Sequence, residues 1–305
     1  MYLGHFGLHE HPFDLTPDTD YYYGNPSHQE AMNMMMVALR DDTGFIKVTG
    51  EVGTGKTLLC RKLVNELGTG FHVAYLPNPP LTPQELYLDV IRDLGLKEPV
   101  STSLHEMLKL ITDKLLRSAV EGNRVVIVLD EAQDIPDETM EALRLLTNLE
   151  TEKTILLHVV LFGQPELDRR LAQESLRQLR QRIVFSDKLT PLDLDAVHGY
   201  LQHRATVGGY GGNGDFPLFS AQAVRLLYKR SGGIPRLINI LAHKALMLAY
   251  GKGSERVKWS HVRGAILDTE GVSGRFAFGW PVFSLGILSL LSVVIIALLR
   301  SGGGG

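Results

Sequence analysis

Gly50-Glu51-Val52-Gly53-Thr54-Gly55-Lys56-Thr57 meets the spacing G-x-x-x-x-G-K-[ST] at every fixed position, directly after the apolar run Phe45-Ile46-Lys47-Val48-Thr49. This spacing predicts a phosphate-binding loop. Glycines at 50, 53 and 55 let the backbone take positive φ and bring successive N–H groups close to phosphate oxygens. The run from Thr57 to Val64 reads as a helix whose N-terminus aims its unpaired N–H groups at the same place. Lys56 adds a full positive charge at the β- and γ-phosphates of a nucleotide, and the Thr57 hydroxyl is placed to ligate Mg²⁺. The candidate ATP-contacting residues are therefore Gly50, Glu51, Val52, Gly53, Thr54, Gly55, Lys56, Thr57 and Leu58.

Working outward, strand and helix signals alternate. Strands are expected at Phe71–Leu76, Arg124–Asp130, Thr154–Phe162 and Ile183–Ser186, and helices at Pro83–Leu94, Leu104–Val120 and Asp137–Leu149. Runs such as Val125-Val126-Ile127-Val128-Leu129 are apolar on both faces, so the expected fold is α/β with a parallel, helix-covered sheet. After Leu189-Thr190-Pro191 the strand signal stops, and helices follow at Leu192–Val207, Ser220–Ser231, Ile234–Tyr250 and Trp259–Asp268. The glycine-rich stretch 208–214 between the first two reads as a mobile loop. Upstream, Ser27–Arg40 reads as a helix with Ser27 as N-cap and Glu30 closing a capping box, its Met32, Met34, Met35 and Met36 packing in a core. Such a lead-in can wrap the adenine end of a nucleotide.

A second chemical signature is the apolar run 125–129 followed by Asp130-Glu131. A strand that ends in Asp puts a carboxylate at the carboxyl edge of the sheet, beside the phosphate loop, where it can hold the hydration shell of Mg²⁺. Glu131, one residue on, can orient and polarise an attacking water.

Net charge is -3 and the sequence pI is near 6.4, which gives no overall pull towards nucleic acid. Cys60 is the only cysteine, which excludes an intramolecular disulfide and a cysteine-rich zinc site. Residues 1–7 have neither a positive start nor an apolar core, so they do not read as a secretory signal. Val282–Leu299 carries no charged residue and as a helix would span about 27 Å, close to the hydrocarbon thickness of a bilayer. It reads as a transmembrane helix. Trp280 sits where an interfacial aromatic belongs, and Arg256, Lys258, Arg263 and Arg275 precede the run against Arg300 after it, so the N-terminal side is expected in the cytoplasm. The chain divides on this reading into a lead-in (1–44), an α/β nucleotide-binding domain (45–187), a small helical lid domain (188–270), a linker (271–279), a transmembrane helix (280–299) and a tail (300–305).

With those motifs in place, residues 1 to about 270 resemble the AAA+ ATPases of the secretion-protein A (ExeA) type. The resemblance runs through His5-Phe6-Gly7-Leu8, Pro12-Phe13, GEVGTGKT, VLDEAQD, LRLLTNLET, LFGQPEL, LRQLRQRI and GGIPRLIN, and looks closest to the ATPase of MSHA pilus biogenesis. It implies an AAA+ P-loop core with a helical lid, ATP and Mg²⁺ as ligands, and Lys56, Glu131, Gln164, Arg182 and Arg236 as catalytic residues, with Thr57 and Asp130 on the metal. Gln164 would sense the γ-phosphate, Arg182 would be the finger reaching a neighbouring subunit with Arg180 as second choice, and Arg236 would be the lid arginine. Each also has a structural reading: Gln164 as the cap of a Pro165–Leu171 helix, the arginines 177, 180 and 182 as a solvated face. The resemblance further implies a homo-oligomeric ring at the bacterial inner membrane, assembling a type IV pilus or type II secretion apparatus with inner-membrane partner proteins. Nucleic acid is not expected as a partner, although a transposition helper or initiator-like ATPase shares the loop and lid and is the alternative. Members often continue past the membrane into a cell-wall-binding domain, whereas this sequence ends six residues after its apolar run.

Overall fold

A computed structural model describes residues 2–41, 44–99, 103–148, 155–211 and 217–269. Val282–Leu299, the expected transmembrane helix, lies outside them with the linker and tail, and among the described residues no helix is long and apolar enough to cross a membrane. A short helix α1 (Leu3–Phe6) and α2 (Pro26–Arg40) precede the first strand. Then follow β1 (Phe45–Gly50), α3 (Lys56–Glu66), β2 (Phe71–Leu76), α4 (Pro83–Asp93), α5 (Leu104–Val120), β3 (Arg124–Leu129), α6 (Asp137–Leu146), β4 (Leu157–Gly163), α7 (Pro165–Leu171), α8 (Arg177–Arg182) and β5 (Ile183–Leu189). Helices α9 (Leu194–Val207), α10 (Ala221–Ser231), α11 (Pro235–Gly251) and α12 (Trp259–Leu267) complete the order.

The five strands form one parallel sheet in the order β2-β3-β4-β1-β5. Alternate residues of the inner strands face opposite cores, as the two-residue period of a strand requires. Val125, Ile127 and Leu129 join the cluster under α4 to α8, while Val126 and Val128 join the cluster under α2 and α3. That explains the unbroken apolar runs in the sequence, since a strand covered on both faces has no wet side. β5 runs three residues beyond the expected end because it is the edge strand. Its Ser186, Asp187 and Lys188 alternate between half-buried and exposed, so its sequence lacks the continuous apolar signal.

A third cluster holds the four C-terminal helices together, and the N-terminal segment contributes to it. Tyr2, Phe6, Leu8 and Phe13 pack against α9 to α12, whereas α2 packs on the sheet. The lead-in is thus shared between the two halves. The glycine stretch after α9, expected as a mobile loop, starts as an anchored one: the Gly208 carbonyl accepts from the His9 N–H at 2.8 Å. Residues 212–216 lie outside the described set. The N-cap of α2 is Asn25, whose side chain accepts from the His28 N–H at 3.1 Å, and not Ser27. Pro26 lacks an N–H and takes the first helical position, which puts the cap two residues upstream of where Ser27 and Glu30 suggested it. The Ser27 hydroxyl instead accepts from the Thr190 N–H at 3.1 Å, tying α2 to the end of β5. Met32 and Met35 are buried in the sheet core, with Met34 and Met36 packed at its margin.

Candidate functional site

Gly55 caps α3 with φ +100° and Gly53 stands at φ +83°, the left-handed conformations that only glycine takes cheaply. The loop closes on itself through the Thr54 hydroxyl, which donates to the Glu51 carbonyl at 2.8 Å. Lys56 is 5% exposed, and its ammonium donates to the carbonyls of Gly50 (2.8 Å) and Glu51 (3.1 Å). Burial lowers the pKa of Lys56, with Glu131 and Asp130 the largest opposing influences. Those carboxylates keep a positive charge worth having in the loop.

Asp130 stands just past the end of β3 and is 2% exposed. One of its oxygens accepts from the Thr57 hydroxyl at 2.6 Å and the other from the Glu131 N–H at 2.9 Å. Burial nevertheless holds its carboxyl above the ordinary value. Two hard oxygens from hydroxyl and carboxylate, side by side with the carboxylate under-compensated, are a donor set that fits Mg²⁺. Thr57 and Asp130 are the residues that would hold it.

Glu131 takes φ 50° and ψ 38°, and among the described residues it is the one non-glycine with positive φ. The turn swings its carboxylate off the strand axis, where it accepts from the Gln133 amide at 2.8 Å and the Gln164 amide at 3.1 Å. Gln133 also accepts, through its side-chain oxygen, the backbone N–H of Gln164 at 2.9 Å. Gln164 occupies the N-cap position of α7 without capping it, and its side chain is spent on Glu131. Lys47 on β1 pairs with Asp168 on α7, which fixes that helix beside the same carboxylate.

These groups surround a cavity of about 310 Å³. Val52, Gly53, Gly55, Lys56, Thr57, Leu58 and Glu131 line it from the sheet side, and Pro235, Arg236 and Asn239 from α11. The contact between the halves is close: the Arg236 N–H donates to the Gly53 carbonyl at 3.2 Å, and a Cβ on Gly53 would lie 2.7 Å from that of Arg236. Gly50 is fixed beneath the loop, where a Cβ would meet the Thr54 hydroxyl at 2.8 Å. Arg182 is elsewhere. It ends α8, and its guanidinium donates to the Thr147 carbonyl (3.0 Å) and hydroxyl (3.1 Å) of the same chain, while Arg180 is exposed.

The far wall is built in part by the lead-in (1–44), through residues that no sequence motif singles out. Asp14 to Asp18 form a strap along the cavity, and Tyr200, Arg204 and Asn239 lie under it. Arg204 is 5% exposed; it donates to the carbonyls of Pro12 and Asp14 (3.3 Å to the latter), and the Asn239 amide donates to Asp14 as well at 3.3 Å. The Tyr200 hydroxyl donates to Asn239 at 2.8 Å. Arg61 of α3 holds the strap from the other side through the Pro17 carbonyl at 2.8 Å. The available signal was Tyr200 and Arg204 four residues apart on an otherwise apolar helix face. His28 is another residue that no motif singles out: its Nε2–H donates to the Thr54 carbonyl at 2.9 Å, so α2 braces the loop from below.

Comparison with known proteins bears on the fold that carries this site. Residues 39–171 match the family model described as an AAA domain. General secretion pathway protein A of Aeromonas hydrophila is 40% identical over 272 residues, which is 89% of this chain and 49% of that protein. The chain is an AAA-domain relative of general secretion pathway protein A. It spans about half the length of that curated relative. Among solved structures, the ORC2 protein of Aeropyrum pernix, in ADPNP–ADP complexes, superposes with a TM-score of 0.62 at 18% identity, over 92% of this chain and 75% of that one. Cdc6p of Pyrobaculum aerophilum gives 0.66 at 17%, over 84% and 70%. The RuvB Holliday junction branch migration motor of Thermotoga maritima gives 0.54 at 16%, over 80% and 69%. At these identities the likeness shows the fold of the AAA domain and its neighbouring helices, and nothing of their partners.

Proposed function

We propose that this chain is a membrane-anchored, oligomeric ATPase that binds and hydrolyses ATP to drive assembly of a type II secretion apparatus or a type IV, MSHA-like pilus. The observation that carries the hydrolytic reading is Glu131, presented by a left-handed turn and held by two glutamine amides on the cavity that Lys56 and Thr57 also line. The relative's name supports the secretion context, and the uncharged run Val282–Leu299 supports anchoring in the bacterial inner membrane with the AAA domain on the cytoplasmic side.

On this reading Lys56 exchanges the Gly50 and Glu51 carbonyls for the β- and γ-phosphate oxygens of ATP. Glu131 accepts hydrogen bonds from two fixed amides, and its remaining lone pairs orient a water for in-line attack on the γ-phosphorus. Gln164 bridges from Glu131 towards the same phosphate. Thr57 and Asp130 would hold Mg²⁺, which when bound would supply charge to offset the phosphates. Arg236 closes the cavity from α11, so the four C-terminal helices serve as a lid whose position depends on the nucleotide. An arginine of α8 completes the site of the next subunit in a ring.

Two substitutions test the site. Lys56→Ala should lose ATP binding, measured with a fluorescent nucleotide, whereas Glu131→Gln should bind ATP as before and lose turnover by about 10²–10⁴-fold. Equal ATP affinity in Lys56→Ala and the unmodified chain would sink the assignment.

A further inference from the structure

Helix α12 carries Trp259, Arg263 and Leu267 at i, i+4 and i+8, so the three share one side of the helix. All three are exposed, Trp259 at 43% and Leu267 at 73%. The Arg263 guanidinium lies 5.5 Å from the centre of the Trp259 ring. Helix α11 packs beside α12, where a Cβ on Gly264 would meet the Leu248 Cδ1 at 2.9 Å, and Leu248 is itself exposed.

The charge along this stretch of the chain is one-sided. Between residues 244 and 268 stand Lys244, Lys252, Arg256, Lys258 and Arg263 against Glu255 and Asp268, in a chain whose net charge is -3. Lys244 already pairs with Asp268 at 2.9 Å. A purely acidic partner would leave Trp259 and Leu267 wet, and a purely apolar one would strand Arg263 and Lys258. A bilayer surface with anionic headgroups accepts both, with aromatic and aliphatic side chains at the acyl boundary and basic ones among the phosphates. Chain continuity points the same way. Twelve residues, 270–281, separate the described residues from Val282, and a chain of that length reaches about 43 Å at most.

We infer that the α11–α12 face docks on the anionic cytoplasmic leaflet, laying the AAA domain against the membrane. This rests on the anchoring reading of Val282–Leu299. The basic residues bring the face to the surface, and Trp259 and Leu267 hold it there.

The test uses the full chain with Trp280→Phe, which leaves Trp259 as the only tryptophan. The protein is reconstituted into vesicles of acyl-brominated phosphatidylcholine, with or without phosphatidylglycerol. Trp259 fluorescence should be quenched at least about twofold more in the anionic vesicles and shift to the blue. Lys258→Glu with Arg263→Glu should remove that excess without changing the melting temperature in detergent, and salt near 1 M should remove it with no substitution at all. Equal quenching in both lipids, or emission identical to that in detergent, overturns the docking. So does shielding of Trp259 in detergent that grows with protein concentration, which assigns the face to a second copy of the chain. A carbonate wash of the same vesicles reads the anchor separately. Retained chain with unquenched Trp259 refutes docking alone; released chain whose quenching had followed the lipid charge refutes the anchor alone.

Discussion

Asp130 is a carboxylate placed where burial works against its charge. Its native pKa is raised by desolvation although Thr57 and the Glu131 N–H both donate to it. A native carboxyl that binds its proton more tightly than the unfolded one contributes stability that is fully present below the unfolded pKa, is lost as pH rises through the native pKa, and levels off above it. Without Mg²⁺, Asp130 therefore costs the fold stability at neutral pH. Asp130→Asn should raise the melting temperature of the nucleotide-free chain there, by about 2–4 °C per kcal/mol released, and flatten its pH dependence. The same substitution should weaken Mg²⁺-dependent nucleotide binding at least about tenfold. Scanning fluorimetry with and without Mg-ATP reads both; a lower melting temperature at neutral pH would contradict the burial argument.

The strap 14–18 is an element without secondary structure, held by side chains on three helices, α3, α9 and α11. Arg204 is the largest of those holds, a buried guanidinium whose hydrogen bonds described here run to backbone carbonyls and to the Tyr200 hydroxyl (3.2 Å). Arg204→Ala should cost about 2–3 kcal/mol in chemical denaturation, because it leaves the Pro12 and Asp14 carbonyls short of a charged donor. It should weaken ATP binding more than binding of inorganic tripolyphosphate, since the strap lines the cavity away from the phosphate loop. Equal losses for the two ligands would reduce Arg204 to a general stabiliser. This element also marks where reading the sequence ran out. Strands buried on both faces and helices with an apolar stripe announce themselves by period, and the phosphate loop announces itself by glycine spacing. The strap has no period, and its partners at 200, 204 and 239 lie nearly two hundred residues away or more. Asn25 displaced Ser27 as a cap for a local reason, the proline between them. Gln133 stood inside the DEAQD motif, yet its role in holding Glu131 depends on a turn that residue types alone do not specify.

At the scale of the whole molecule, two halves meet at one cavity and α8 stands away from it. On the proposed ring reading, an arginine on α8 would serve another copy's site. Arg182 is already engaged with Thr147, which makes it a support for α8, while exposed Arg180 two residues earlier is the better arm. Arg180→Ala should bind ATP normally and hydrolyse it about 10³-fold more slowly, since a finger acts on transition-state charge. Arg182→Ala should cost about 1 kcal/mol of stability with a smaller effect on rate. Mixing Arg180→Ala with Lys56→Ala should recover part of the activity at interfaces where an intact finger faces an intact loop. A mixture that co-assembles and stays inactive, or dilute monomer at full specific rate, would exclude action between subunits.

Glu131 pays for its position in backbone conformation. A glutamate in the left-handed region costs on the order of 1–2 kcal/mol that glycine would not incur. Glu131→Gly should therefore melt higher than the unmodified chain and hydrolyse no ATP. A library of this chain selected for heat resistance alone should accumulate glycine or asparagine at position 131, and the survivors should be the sturdiest and the least active. Recovery of glutamate there under such selection would mean that its two glutamine contacts repay the strain in full.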